Sequence, residues 1–381
     1  MIYLDNAATT WPKPESVYEA VDRTMREWGG NPGRSGHKMS LQAGKIIEET
    51  RFLLARLFNA PDPSRIIFTL NNTESINLAL KGILKAGDHI IAGGLEHNAV
   101  SRPLEALKER GIEVTKVETS SQSGVNPADI EKAIKNNTKM VVLSHASNVT
   151  GTINAVGDVG KLCRKHGLIF LVDAAQSAGY LPIDVQEMCI DLLAFPGHKG
   201  LLGPQGVGGL YISSQVSPQP IKEGGTGSES KSLIQPLASP DRYESGTPNT
   251  PGIAGLGAGV RFIFAEGLDK IREKEKALTD RLLKGLQKIP GITVYGPPLG
   301  RERVGVVSLN IAGVDSLEAA VILDQVFNIS VRAGLHCAPD AHRTIGTLEC
   351  GTIRLSVGNF NTEEEIDICL AALASIAQER V

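Results

Sequence analysis

The chain has 381 residues, 41% hydrophobic and 21% charged, an ordinary balance for a globular protein long enough for two domains or one large α/β domain with a smaller satellite. A net charge of -3 gives no reason to expect nucleic acid or an anionic membrane as a main partner, and no apolar run approaches the roughly 20 residues that span a bilayer. Five scattered cysteines (Cys163, Cys189, Cys337, Cys350, Cys369) without a CxxC pair argue against a disulfide framework or a zinc finger, and with Met1-Ile2-Tyr3-Leu4-Asp5 lacking a basic or apolar leader they predict a cytoplasmic protein.

Taken in order, the chain opens on the small polar segment Tyr3 to Thr10, with Pro12 and Pro14 beyond it. Val17, Ala20, Val21 and Met25 at helical spacing predict a helix over 14–28, ended by Gly29 and Gly30. Residues 31–37 read as a loop and 40–58 as an amphipathic helix. Strand and helix then alternate. Short apolar strands are expected at 65–69, 89–92, 113–117, 140–144, 168–173, 192–195 and 208–212, with helices between most of them. That pattern predicts an α/β fold with a mostly parallel seven-stranded sheet covered by helices. Periodicity is lost from 218 to 251, where Gly, Ser and Pro dominate, and a loop of that length in a compact enzyme is usually functional. One long helix is expected at 253–287, then a β-α-β-α run (304–311, 317–327, 352–357, 363–377) forming a smaller α+β domain.

Chemistry-bearing residues fall at the predicted strand ends, where open α/β sheets bind ligands. Asn72-Thr73-Glu74 opens a helix whose first amides suit a phosphate, or which Asn or Thr simply caps. Glu96-His97 ends a strand; the imidazole is either structural or free to stack on a ring and carry protons. Ser147-Asn148 ends another. Asp173 follows an apolar run, so its carboxylate sits at the rim of a buried sheet and needs a cation or several donors, unless it only caps the next helix. Lys199 lies at a reversal beside His198; it is a solvated turn lysine or, if poorly solvated, a nucleophile toward an aldehyde. A phosphate site, a stackable imidazole, a buried carboxylate and a lysine on one sheet edge match the needs of pyridoxal phosphate. A nicotinamide-binding fold is disfavoured, since no Gly-x-Gly-x-x-Gly follows an early strand.

These segments, with Leu4-Asp5-Asn6-Ala7-Ala8, Ser147-Asn148-Val149-Thr150-Gly151, Asp173-Ala174-Ala175-Gln176, Gly197-His198-Lys199 and Gly246-Thr247-Pro248-Asn249, occur in the order seen in class V aminotransferase-like enzymes of pyridoxal phosphate fold type I. Arg332-Ala333-Gly334-Leu335-His336-Cys337-Ala338 narrows the resemblance to the cysteine desulfurase and selenocysteine lyase family, over nearly the whole chain. The resemblance implies a large cofactor-binding domain at 15–250 and a small domain from 1–14 plus 251–381 that carries the cysteine loop.

It also implies roles, residue by residue. Lys199 would carry the cofactor and later move the substrate Cα proton; Asp173 would pair with the pyridine nitrogen and Gln176 with the phenolic oxygen. His97 would stack on the ring, and Thr73 and His198 would hold the phosphate. Thr247 matches a position reaching the phosphate of a neighbouring subunit, which implies a homodimer with shared sites. Asn148 and Arg354 would bind the substrate carboxylate, with Arg332 and His37 also at active-site positions. Cys337 would accept sulfur from L-cysteine as a persulfide, L-alanine would leave, and an acceptor protein would take the sulfur; Arg332 and His336 would activate the thiol. Iron–sulfur assembly, transfer RNA thiolation and selenium supply all draw on such chemistry. Pro196 replaces the serine usual before Gly-His-Lys, so Asn72 is expected to compensate at the phosphate, and Leu335 stands where a second histidine is common. Two other readings stand beside this one: a selenocysteine lyase or related lyase, and a catalytically idle binding scaffold, which would gain nothing from a poorly solvated Lys199.

Overall fold

The computed structural model describes residues 1–33 and 36–378; Arg34 and Ser35, in the loop expected at 31–37, lie outside the described residues. In chain order the elements are β1 (Ile2–Tyr3), α1 (Glu15–Glu27), α2 (Lys38–Leu57), β2 (Ile66–Thr69), α3 (Asn72–Ile83), β3 (His89–Ala92), α4 (Asn98–Lys108) and β4 (Glu113–Lys116). A small hairpin of β5 (Thr119–Ser120) and β6 (Gly124–Val125) precedes α5 (Pro127–Ala133), β7 (Thr138–Ser144), α6 (Val156–Lys165), β8 (Ile169–Asp173), β9 (Leu192–Pro196) and β10 (Gly208–Ile212). The remainder is α7 (Thr250–Glu266), α8 (Leu268–Leu286), β11 (Ile292–Tyr295), β12 (Val306–Ile311), α9 (Ser316–Phe327), β13 (Ile329–Ser330), β14 (Arg332–Gly334), α10 (Pro339–Thr344), β15 (Thr352–Ser356) and α11 (Glu363–Gln378).

The large sheet has seven strands in the order β2-β10-β9-β8-β7-β3-β4, all parallel except β10. Its inner strands are apolar on both faces because both faces are covered. Along β7, Val141 and Leu143 enter the core shared with α2, α6 and α7, while Met140 and Val142 enter the core shared with α3 and α4. The same alternation places Phe170 and Val172 against Leu171 in β8. The chain turns away in opposite directions after β3 and β7, so the crevice beyond their C-terminal ends is the natural ligand site.

The smaller sheet runs β11-β12-β15-β14 and packs on α8, α9 and α11. β1 pairs with β13, and an Asp5–Ser356 bridge continues the N-terminal arm along the small sheet.

One expectation changes here. The single helix predicted at 253–287 is two helices, broken at Gly267, whose φ of 87° lies outside helical space. The expected domain boundary near residue 250 falls at the start of α7, whose Ile253, Leu256, Val260 and Ile263 pack in the core of the large sheet. Leu268 and Ile271 at the start of α8 still pack in that core, and Leu278, Leu282 and Leu286 further along α8 join the second sheet. No helix among the described residues is long and apolar enough to cross a membrane.

Candidate active site

Beyond the C-terminal ends of β7, β8 and β9 lies a cavity of about 210 Å³. Asn72, Thr73, His97, Asn148, Asp173, Gln176, His198, Lys199, Arg332 and Arg354 all line it. The strands hold these side chains because each ends in the core and its next residues must leave the sheet at this rim. The long sequence separations between them disappear at one edge.

Lys199 and Asp173 form the polar floor. Burial, then the Arg354 charge, brings the Lys199 amine down to about 8, although Asp173 opposes the shift. About a tenth of the amine is therefore neutral at pH 7, far more than for a solvated lysine, as a nucleophilic amine requires. Burial raises the Asp173 carboxyl above its ordinary range, against the stabilising bonds from Ala175 N (2.9 Å) and Asn72 Nδ2 (2.8 Å). The amide of Asn72, the residue expected to compensate at the phosphate, donates to Asp173, and its buried Oδ1 has no partner among the described residues. Gln176 Nε2 donates to Ala7 O at 3.1 Å, tying this wall to the N-terminal arm.

The other wall begins at α3. Asn71 Oδ1 accepts from Glu74 N, capping the helix and leaving Thr73 in its first turn beside the cavity. His198 faces the same space; burial lowers it to about 4, and its buried Nδ1 has no partner among the described residues. His97 does two things at once. Its Nδ1 accepts from Ala99 N at 3.0 Å as the cap of α4, and its ring lines the cavity, held neutral by burial and the nearby Lys199 charge, which bring it down to about 4. Glu96 fixes that corner: both its oxygens accept from Ser144 N at 3.0 Å, and Oε2 also from Ser144 Oγ at 2.7 Å. Burial raises Glu96 to about 7.

The fourth side comes from the small sheet. Arg354 is 1% exposed. Its Nη2 donates to Asp5 Oδ1 at 2.7 Å and its Nη1 to Asn148 O at 3.2 Å, while its buried Nε has no partner among the described residues. Asn148 Nδ2 is also engaged, donating to His336 O at 2.7 Å. That bond, with Asn98 N to Cys337 O at 2.7 Å, holds two consecutive left-handed residues, His336 (φ 49°) and Cys337 (φ 58°). Each costs on the order of 1–3 kcal/mol and needs such external support. Arg332 Nη2 lies 3.6 Å from the Cys337 sulfur, which is exposed.

His336 does not share the thiol role expected for it. It is buried against Thr352 Oγ1 at 3.0 Å, and burial with the Arg354 charge keeps it neutral, so Arg332 is the cation beside Cys337. Cys337 lines a separate outer groove, with Arg332 and His336 forming the wall common to groove and cavity.

Two expected site residues lie elsewhere. His37 is exposed and caps α2, its Nδ1 accepting from Ser40 N at 3.2 Å. Thr247 is exposed and borders a different pocket, beside Glu74 and Lys222. Cys350 is exposed near Thr347 O and Asn310, and lines neither the cavity nor the groove. Cys163, Cys189 and Cys369 are buried, and burial pushes Cys163 and Cys369 up to about 12.

Sequence reasoning gave no role to Asp5, although it stood in a quoted motif. An aspartate in a small-residue arm was the only signal, and its partner Arg354 lies 349 positions away.

Residues 2–369 match the family described as aminotransferase class-V. A probable cysteine desulfurase of Methanothermobacter thermautotrophicus is 36% identical over 384 residues, spanning 99% of this chain and 94% of the relative. The cysteine desulfurase of Salmonella agona is 34% identical over 386 residues, spanning 99% and 93%. Among solved structures, an apo cysteine desulfurase from Thermococcus onnurineus NA1 aligns with a TM-score of 0.93 at 36% identity, over 99% of this chain and 95% of that one. A cysteine desulfurase from Escherichia coli, solved with an S-sulfonic acid, aligns at 0.88 and 29% identity over 100% and 95%.

Proposed function

The chain belongs to the class-V aminotransferase family, and from that premise we propose that it is a pyridoxal phosphate-dependent cysteine desulfurase that takes sulfur from L-cysteine onto Cys337. The observation that carries this reading is the joint placement of Lys199 and Arg354 in the cavity with Cys337 just across the Arg332–His336 wall.

The residues present fit the cofactor. A buried amine of lowered basicity faces a buried carboxylate whose hydrogen-bond donors, Ala175 N and Asn72 Nδ2, are neutral, and beyond them a helix start adjoins a neutral histidine whose Nδ1 is orphaned among the described residues. Lys199 would hold the cofactor covalently, Asp173 would face its ring nitrogen, His97 would cover the ring, and Thr73 and His198 would hold its phosphate. When bound, pyridoxal phosphate supplies an electron sink that stabilises negative charge at the substrate Cα.

The protein's own groups do the rest. Arg354 spends one N–H of Nη2 on Asp5 and one of Nη1 on Asn148, so its Nε–H and the second N–H of each terminal nitrogen remain as donors for a substrate carboxylate. Lys199 Nζ takes the Cα proton. Cys337 attacks the substrate sulfur; an S–S bond forms, the substrate C–S bond breaks, and the three-carbon fragment takes up protons and leaves. Net, Cys337–SH and L-cysteine give Cys337–SSH and L-alanine, with no outside oxidant. Arg332 steers the sulfur anion at each stage. The exposed groove then offers the persulfide to an acceptor thiol, and Thr247, outside its own cavity, serves the neighbouring protomer of a homodimer.

The test is Cys337→Ala incubated with L-cysteine. It is expected to retain pyridoxal phosphate and its visible absorbance but to carry no persulfide by peptide mass. Persulfide recovered on the peptide containing Cys350 would move the acceptor role there.

A further inference from the structure

The N-terminal arm makes an unusual approach to the chain around Lys199. Three donors converge on the carbonyl oxygen of His198, Lys13 Nζ at 2.7 Å, Thr10 N at 3.1 Å and Thr9 Oγ1 at 3.1 Å, and the single hydroxyl hydrogen of Thr10, 3.2 Å away, is shared with the next carbonyl. Thr10 Oγ1 also lies 3.0 Å from the Lys199 carbonyl, and Lys13 Nζ donates to Thr10 Oγ1 at 2.6 Å. The ammonium of Lys13 therefore bridges the arm to the peptide that carries Lys199. Among the described residues Lys13 has no carboxylate partner, and burial brings its amine down to about 8. A half-buried cation without an anion is unfavourable unless its hydrogen bonds serve a purpose. Its own backbone is fixed by Pro12 and Pro14 on either side and by Lys13 N donating to Tyr18 Oη at 3.1 Å.

The far side of the same turn is equally constrained. A Cβ on Gly179 would come within 2.2 Å of Gly200 O, so the 198–200 backbone is wedged between Gly179 and the arm. The Lys199 side chain has to leave and regain its bond to the cofactor during turnover, so its backbone must hold the amine's origin still.

We propose that Lys13 is a positioning residue for Lys199, its ammonium locking the His198–Lys199 peptide so that the amine stays aimed at the cofactor aldehyde. The inference rests on the pyridoxal phosphate reading above. It differs from a simple tether of the arm, because a tether would matter for folding and not for the reactivity of one amine.

The experiment uses cofactor-free full-length protein and added pyridoxal phosphate. Attachment forms a C=N bond between Lys199 and the aldehyde carbon while the aldehyde oxygen leaves as water, and the visible absorbance reports its rate. Lys13→Met is expected to slow attachment roughly tenfold, and Lys13→Arg to restore it to within about threefold, as small displacements of a reacting group predict. In a Lys199→Ala background, Lys13→Met should leave the affinity for pyridoxal phosphate unchanged, since the residue through which Lys13 acts is gone. An equal loss of affinity in that background would overturn the proposal in favour of a direct role at the phosphate. Native attachment rates in Lys13→Met would overturn it as well. If Lys13→Met does not fold, Lys13→Gln takes its place; slow attachment supports the proposal and a native rate refutes it. Native protein that attaches no pyridoxal phosphate at all would refute the functional reading itself, and this inference with it.

Discussion

Lys199 shows how far a residue's setting outweighs its type. Burial moves its amine from 10.5 to about 8. In the cofactor-free chain the folded state then binds fewer protons than the unfolded state between those values. Stability rises with pH across that window, and below it the charged lysine is a penalty. Lys199→Met is therefore expected to stabilise the cofactor-free protein by about 3 kcal/mol at pH 7, with the gain shrinking toward zero as pH approaches 10.5. Denaturant midpoints at both ends of the window check this, and equal midpoints at pH 7 would contradict it. Lys199, Asp173 and His97 were legible because each follows an apolar run that has to end at the sheet rim. Their partners were not. Asp5 meets Arg354, and Lys13 meets His198, only through folding, and nothing local in the sequence marks either pair.

Among elements, the central strands were legible because two-sided burial demands unbroken apolar residues. β11 and β14 were missed, since both are short edge strands and neither contains a fully buried residue. The break at Gly267 was also invisible: one glycine in an otherwise helical pattern is compatible with a continuous helix. Two glycines now separate stability from function. At Gly267 an added Cβ meets nothing within 4 Å, so only its φ of 87° matters. Gly267→Ala should cost about 1 kcal/mol of stability and leave activity intact. At Gly179 the φ is 82° and the Cβ would strike Gly200 O. Gly179→Ala should cost about 2 kcal/mol or more and also slow turnover, because the Lys199 turn has to shift. Thermal melts paired with rates read both effects; an active Gly179→Ala with native stability would show that the turn is not wedged as described.

At the scale of the molecule, the two sheets meet at the cavity, and the N-terminal arm crosses between them through Asp5, Ala7 and Thr10. α7 and the first turn of α8 pack in the large core, and the rest of α8 packs on the small sheet. The segment from 213 to 249 holds no helix or strand, in line with its loss of periodicity, and Arg51 with Glu244 anchors its end through a buried ion pair. Thr247 follows that anchor. If it serves a neighbouring protomer, mixing Lys199→Ala and Thr247→Val chains should restore activity that neither has alone, by forming dimers with one intact site. No recovery on mixing, with exchange of protomers verified, would contradict a shared site.

The central claim is most directly tested by L-alanine release from L-cysteine, measured with and without a thiol reductant on protein loaded with pyridoxal phosphate. The account predicts many turnovers with reductant and about one per site without it, because the persulfide on Cys337 then has nowhere to go. No alanine in either condition, with the cofactor verified in place, would contradict it.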